Sequence, residues 1–353
     1  MTVNLRAPRS GPRPLNLPGG TCLRVERRAV GVGLLLAVLA AALAVVLIGT
    51  GDFRIAPWDV VRTLLGRGTP ADDFVVNDLR LPRVLVALLV GAALGMAGAV
   101  FQSVSRNPLG SPDVLGFGYG SAVGALVVIV LFKGGATEVA VGALVGGLLA
   151  GAVVYLLAYR RGIQGHRLVL VGIGVCAMLV AVVQYLLTKA QLVEATRAMV
   201  WLTGSLAGRD WAQVWPLLAV CAVVFPLVLG QGRALRIMEM GDDAASALGV
   251  RVERTRLLLM VAAIVLTTAA SAAAGPISFV ALAAPQLARR LTRSPGGNLL
   301  GAALMGAVLL TASDWASQRA FGSDQLPVGV VTGLVGGVYL LWLLVTERKA
   351  GRI

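Results

Sequence analysis

The side chains with chemistry to offer are few in this chain, and most are grouped between apolar stretches. Asp242 and Asp243 follow Met240-Gly241 and precede Ala244-Ala245-Ser246-Ala247-Leu248-Gly249. Carboxylates in the first turn of a helix meet free backbone N–H groups, and a glycine such as Gly249 is suited to stop the helix. The spacing predicts a short surface helix with Ala244, Ala245 and Leu248 on one face. That is docking chemistry: the face is covered either by the chain's own bundle or by a partner. Arg80-Leu81-Pro82-Arg83 is a second group. Two arginines fixed around a proline either anchor among lipid headgroups or hold carboxylates of another protein bidentately. A third group runs from Gln102, Ser103 and Ser105 into Arg106-Asn107-Pro108-Leu109-Gly110-Ser111-Pro112. Prolines four residues apart forbid a regular helix there, and Asn107 can turn the chain through its side chain. Gln102, Ser103, Ser105 and Gln184 are the polar candidates to face a solute path. Gly275-Pro276 demands a kink or reversal, and Asp314 and Arg319 are each suited to a local cap or ion pair.

Reaction chemistry is poorly served. His166 is the single histidine, and Cys22, Cys176 and Cys221 have no metal-ligand spacing, so no metal site is expected. No Walker-type phosphate loop is present. Gly116, Gly118 and Gly120 imitate a dinucleotide fingerprint without the strand before it or the ribose-binding acid after it. No nucleophile–base pair is recognisable, so the chain reads as no enzyme. An ion-coupled secondary transporter, the competing class, would place an ionisable residue in mid-membrane, and the apolar segments carry none near a centre.

The elements that must position these groups are membrane spans. Of 353 residues, 57% are hydrophobic and only 14% charged, and mean hydropathy is +0.84. A soluble domain averages about 25% charged. Apolar segments fall at roughly 29–49, 84–104, 114–132, 138–158, 168–188, 211–230, 257–274, 277–288, 298–312 and 328–345. The fold class is therefore an all-α polytopic membrane protein of about ten transmembrane helices. With an inside start, the cytoplasmic stretches hold 21 of the 31 basic and 7 of the 17 acidic residues, which is the whole excess charge of +14. This is the positive-inside bias for an even number of spans, both termini cytoplasmic. It accounts for the basic charge without nucleic acid. Residues 1–28, with Arg6, Arg9, Arg13 and Arg24 among Pro and Gly, read as a flexible, uncleaved basic tail. Glycines four apart (Gly91/Gly95, Gly120/Gly124, Gly142/Gly146, Gly147/Gly151 and Gly329/Gly333/Gly337) mark helix faces smooth enough for close backbone approach.

From about residue 30 to the end, the chain resembles the permease subunits of ABC importers for iron–siderophore, haem and cobalamin. The resemblance rests on blocks in order: Arg80–Arg83; Gln102 with Arg106-Asn107-Pro108-Leu109; Leu115-Gly116; Trp201-Leu202-Thr203-Gly204-Ser205-Leu206; Gly241-Asp242 with Ala245 and Leu248-Gly249; Gly275-Pro276-Ile277-Ser278-Phe279-Val280; and Leu326-Pro327-Val328-Gly329. It is similar to the iron–siderophore branch in particular, and to catecholate permeases through Val171-Gly172-Ile173-Gly174-Val175, Tyr185-Leu186-Leu187 and Trp215-Pro216.

The resemblance implies a type II ABC importer permease fold, with residues 29–353 as one ten-helix permease domain and coupling helices near 240–250. It implies two ATPase subunits holding ATP and Mg, and an external substrate-binding protein. A second permease subunit would pair with this one, a homologous heterodimer being favoured over a homodimer. The cargo would be a ferric siderophore, with haem or cobalamin as the alternatives. Gly241, Asp242, Asp243, Ala245, Leu248 and Gly249 would seat in the ATPase, and Arg80, Arg83 and Arg319 would meet acids of the binding protein. Arg106, Asn107, Pro108, Pro112, Gly275, Pro276 and Pro327 would shape kinks and loops. The sequence departs from the family pattern at Gln286 (usually His), Ala281 (Gly), Gln325 (Glu) and Val338 (Pro). Gln318 stands where the family's arginine is expected, and the arginine comes one place later, at Arg319.

Overall fold

The structure, a computed structural model, describes residues 14–16, 22–24, 27–51, 53–113, 115–159, 165–293, 296–320 and 326–349. Most of the tail and Gln325 lie outside the described residues. Within the tail, Pro14–Asn16 (β1) pairs antiparallel with Cys22–Arg24 (β2). The rest is helical: α1 Arg27–Gly49, α2 Pro57–Leu64, α3 Pro70–Asp73, α4 Leu81–Ser105, α5 Phe117–Leu126, α6 Ala136–Ala158, α7 Gly165–Lys189, α8 Leu192–Leu202, α9 Trp211–Gly230, α10 Gly232–Met238, α11 Asp242–Ala247, α12 Val252–Ala274, α13 Val280–Thr292, α14 Leu299–Arg319 and α15 Val328–Lys349. Two π-helical stretches extend this set, Phe74–Arg80 leading into α4 and Val127–Phe132 continuing α5. In lipid every backbone polar group must be satisfied within the segment, which helices achieve. Their starts are set by side chains: Asp210 accepts from Ala212 N at 2.8 Å to open α9, and Asn298 accepts from Gly301 N at 2.9 Å to open α14.

All ten apolar segments fall on helices, but the described residues give seven helices long and apolar enough to cross a membrane: α1, Pro70–Ser105, α6, Arg167–Lys189, α9, α12 and α14. The expected count of ten is not reached by this standard. Phe117–Phe132 and Val328–Trp342 are shorter, and α13 has 13 residues, about 20 Å of helix.

The core is a trio. The most apolar windows of α4, α12 and α14 are 78%, 72% and 67% buried, against 17% for α7. Small residues allow this packing. A Cβ at Gly91 would overlap the carbonyl of Gly306, and one at Gly306 would overlap that of Gly91, so α4 and α14 meet backbone to backbone. Gly120 and Gly124 meet Gly142 and Gly146 in the same way, joining α5 to α6, while Gly147 and Gly151 receive Thr268 and Ile264 of α12. The stripe on α15 behaves differently. Gly329 abuts Thr203 and Gly204, but nothing among the described residues approaches Gly333 or Gly337.

Two helical breaks lie inside the bundle. After Ala274 the chain passes through Gly275 (φ 78) and regains helix only at Val280, with Phe279 at φ 69. After Ser105 it passes Arg106 (φ 50) and reaches α5 through Gly116 (φ 83). This second connection is not a surface loop. Ser111, Pro112 and Leu115 are buried, and a Cβ on Gly116 would stand 2.9 Å from the Cα of Cys176. Cys176 lies about 16 Å along α7, so α5 begins near the middle of its neighbour. The stretch 105–113 between the second and third apolar segments therefore starts at the bundle end and runs inward.

Candidate functional site

At the bundle end where α4 finishes and α12 and α14 begin, α11 is clamped by its first carboxylate. Gly241 turns the chain at φ 125, a conformation open to glycine, and sets Asp242 at the start of α11. Arg256 of α12, only 5% exposed, donates through Nη2 to both carboxylate oxygens at 2.8 Å and through Nη1 to Glu253 at 3.0 Å. Arg106 also pairs with Asp242 and donates through Nε to the Met238 carbonyl at 3.2 Å. Partial burial raises the Asp242 carboxyl, but the hydrogen bonds and charges of Arg256 and Arg106 outweigh it and hold the group below its usual range. Ala245 packs inward with Met238 and Val252. Leu248 does not share that buried face, contrary to the helical spacing. It is 64% exposed, Met240 is 74% exposed, and Asp243 also faces out.

Next to this clamp the candidate path residues form an interhelical clasp. Gln102 donates to the Leu282 carbonyl at 3.1 Å and accepts from Gln286 Nε2 at 2.8 Å, and Gln286 also donates to the Pro108 carbonyl at 2.9 Å. Arg289 donates to Ser103 Oγ at 3.3 Å and pairs with Glu239 at 3.5 Å, while Ser105 bonds back to the Phe101 carbonyl. Gln102 and Ser103 are buried. They join α4 to α13. Asn107 Oδ1 accepts from Leu109 N at 2.9 Å, the turn expected of it.

Gln184 does line a cavity of about 470 Å³, together with Asp113, Tyr119, Thr203, Ser271 and Ser278. Asp113 is the ionisable group missed by sequence reasoning. Its carboxylate is turned toward the Phe279 N–H at the α12–α13 break. It follows Pro112 directly, and a proline-broken segment entering an apolar run was the available signal. Thus the bundle does contain an internal carboxylate, carried by a connection. Beside the cavity, Ser205 N donates to the Ala274 carbonyl at 2.8 Å and Gly329 N to the Gly204 carbonyl at 3.1 Å, which joins the α8–α9 loop, the break and the Pro327 turn into α15.

The opposite end of the bundle holds the arginine corner, and both arginines are turned inward. Arg80 donates to the carbonyls of Ile48 at 2.6 Å and Phe53 at 2.7 Å. Arg83 forks onto Asp314 of α14 at 2.8 and 3.1 Å, and Gln318 adds a bond to the same carboxylate at 2.9 Å. Asp314 has no exposed surface, while Arg319, one place beyond Gln318, is exposed.

The described residues thus show a clamped but outward-facing helix at one end, two helical breaks beside a cavity, and no assembled catalytic group. The profile of the FecCD transport family matches residues 34–346. This chain belongs to that family. FecCD relatives include the ferric enterobactin transport system permease protein FepG of Escherichia coli, 47% identical over 85% of this chain and 91% of that protein. The siderophore transport permease YfhA of Bacillus subtilis is 35% identical over 92% of this chain and 97% of its own. A solved metal-chelate type ABC transporter in an inward-facing conformation has a TM-score of 0.78 at 26% identity, covering 90% of this chain and 99% of that one. FecCD subunits are permeases and not catalytic; partner ATPase subunits hydrolyse ATP. The chain is a multi-pass membrane permease subunit, and the assembly typical of its family adds ATPase subunits, a second permease and a binding protein.

Proposed function

We propose that this permease carries a ferric siderophore of the catecholate class inward, crossing the membrane ten times with both termini in the cytoplasm. The observation that carries the reading is α11: Asp242 ties it to Arg256 and Arg106, while Met240, Asp243 and Leu248 remain outside the bundle. Apolar side chains exposed beside a carboxylate at the polar end of a bundle suit a protein partner, and the ATPase is the partner whose force must enter there. Haem and cobalamin are the alternative cargoes; the FepG likeness favours a ferric catecholate.

The short helices fit ten crossings. Phe117–Phe132 and α13 are each preceded by irregular backbone inside the bundle, at 111–113 with 115–116 and at 275–279, which supplies the missing depth. Such backbone is tolerated where protein buries it. The unfilled faces of α7 and of α15 at Gly333 and Gly337 suit a second, homologous permease subunit. Of the three docking arginines, Arg319 has its guanidinium on the surface and is the one proposed to meet acids of the binding protein.

The test is co-purification in mild detergent with the candidate ATPases, followed by uptake of ferric enterobactin, haem and cobalamin in proteoliposomes. Leu248→Arg is the informative variant, because Asp242→Arg also breaks the internal clamp. Loss of the ATPase from a folded Leu248→Arg permease, with ferric enterobactin the cargo taken up, supports the reading. A stable wild type that retains no ATPase overturns the coupling assignment.

A further inference from the structure

The two helical breaks face each other, and each contains a non-glycine residue in the left-handed region: Arg106 at φ 50 and Phe279 at φ 69. Such conformations are costly and persist only where the surroundings over-determine them. Here the surroundings are a row of polar contacts along one short segment. At its near end Arg106 pairs with Asp242 and bonds the Met238 carbonyl. Midway, Gln286 of α13 donates to the Pro108 carbonyl. At its far end Asp113 and Ser278 line one cavity, with the Asp113 carboxylate turned toward the Phe279 N–H. Pro108 and Pro112 fix two backbone angles within the segment, and the Asn107–Leu109 bond closes a turn between its ends. A segment so constrained transmits displacement instead of absorbing it.

We propose that residues 106–113 form a strut carrying motion of α11 to the α12–α13 break, with Asp113 as the positioning residue at its far end. This rests on the reading of α11 as the ATPase-docking helix. α12 already joins α11 to the break covalently. The strut is a second, parallel link, and the Asp242 carboxylate holds both, through Arg256 of α12 and through Arg106. A shift of α11 relative to α12 therefore moves the break, and with it Ser278 and the cavity wall that Asp113 and Gln184 share.

The test uses the complete importer, with its ATPases, second permease and binding protein, in proteoliposomes. ATP hydrolysis and uptake of radiolabelled ferric enterobactin are measured together. Asp113→Ala and Arg106→Gln are each expected to hydrolyse ATP while uptake per ATP falls about tenfold. Asp113→Asn, which keeps an acceptor for Phe279, is expected to stay within about threefold of wild type. Because both residues act on one strut, the double variant Arg106→Gln with Asp113→Ala is expected to lose no more than the worse single variant. Unchanged uptake per ATP in Asp113→Ala, or losses that multiply in the double variant, overturn the strut. A wild type that fails to bind its ATPases overturns the docking reading instead. If Asp113→Ala blocks assembly, Asp113→Ser, too short to reach Phe279, takes its place in the same cycle.

Discussion

Arg83 and Asp314 are joined by a two-bond fork to a carboxylate with no exposed surface. Removing one member of such a pair strands the other without water, at roughly 3–5 kcal/mol. Arg83→Ala is therefore expected to destabilise the purified subunit by about 3 kcal/mol, while Arg83→Met with Asp314→Leu stays within about 1–2 kcal/mol of wild type. Thermal unfolding in detergent reads both. A melting curve unmoved by Arg83→Ala would mean that the arginine serves an external protein after all. Asp242 gives a second residue-scale expectation, in pH. Its folded carboxyl is held below the ordinary value of 3.8, so its contribution is present above that value and is lost only as pH falls through the lower, folded one. Hydrogen-exchange protection in α11, taken relative to the intrinsic exchange rate at each pH, should therefore be the same at neutral and mildly acidic pH; a loss of protection near pH 5 would contradict the clamp. At this scale the sequence announced residue types better than partners. Arg80, Arg83, Gln102 and Asp242 all proved to sit in specific polar contacts, but those contacts span 27 to 231 positions for the two arginines alone. Nothing local in a sequence encodes such pairings.

Elements were legible where length and hydropathy decide them, and less so where they break. The apolar runs from 29–49 to 328–345 each landed on a helix because a lipid-facing chain has few other ways to satisfy its backbone. The inward course of the chain at Ser111, Pro112 and Leu115 was not legible, since an apolar residue beside a proline looks the same in a surface turn and in a buried break. Glycine spacing marked helix faces without saying what meets them, and the structure separates two kinds. Gly91 has the Gly306 backbone where a side chain would go, whereas Gly333 has open space. Gly91→Leu is expected to yield no folded subunit, because α4 and α14 cannot separate without opening the core. Gly333→Leu is expected to fold, with the same detergent elution profile as wild type, and to lose the second permease on co-purification. A Gly333→Leu protein that keeps its partner would move the subunit interface away from α15.

Across the whole molecule, sequence blocks far apart converge on a few places. Gly241-Asp242 and Arg106-Asn107-Pro108 meet at one end, while Trp201–Leu206, Gly275–Val280 and Leu326–Gly329 meet beside the cavity. This convergence explains why separated loops hold recognisable patterns although most spans could exchange one apolar residue for another. It also bears on the number of crossings, through chain reach. Among the described residues seven helices are long and apolar enough to cross, an odd number, which would put the two termini on opposite sides if only these crossed. Ten crossings put them on the same side and agree with the excess of basic residues on one face. The native Cys22 in the tail and a new cysteine at Gly351 decide between these, once Cys176 and Cys221 are replaced by alanine. With a membrane-impermeant maleimide, both positions are expected to stay unlabelled in intact spheroplasts and to react in inverted vesicles. Ser246→Cys on α11 should follow them, and Thr196→Cys on α8 should do the reverse. If Cys22 and Gly351→Cys label from opposite sides, the short helices do not all cross. The even count would then fail even though the helices themselves are present.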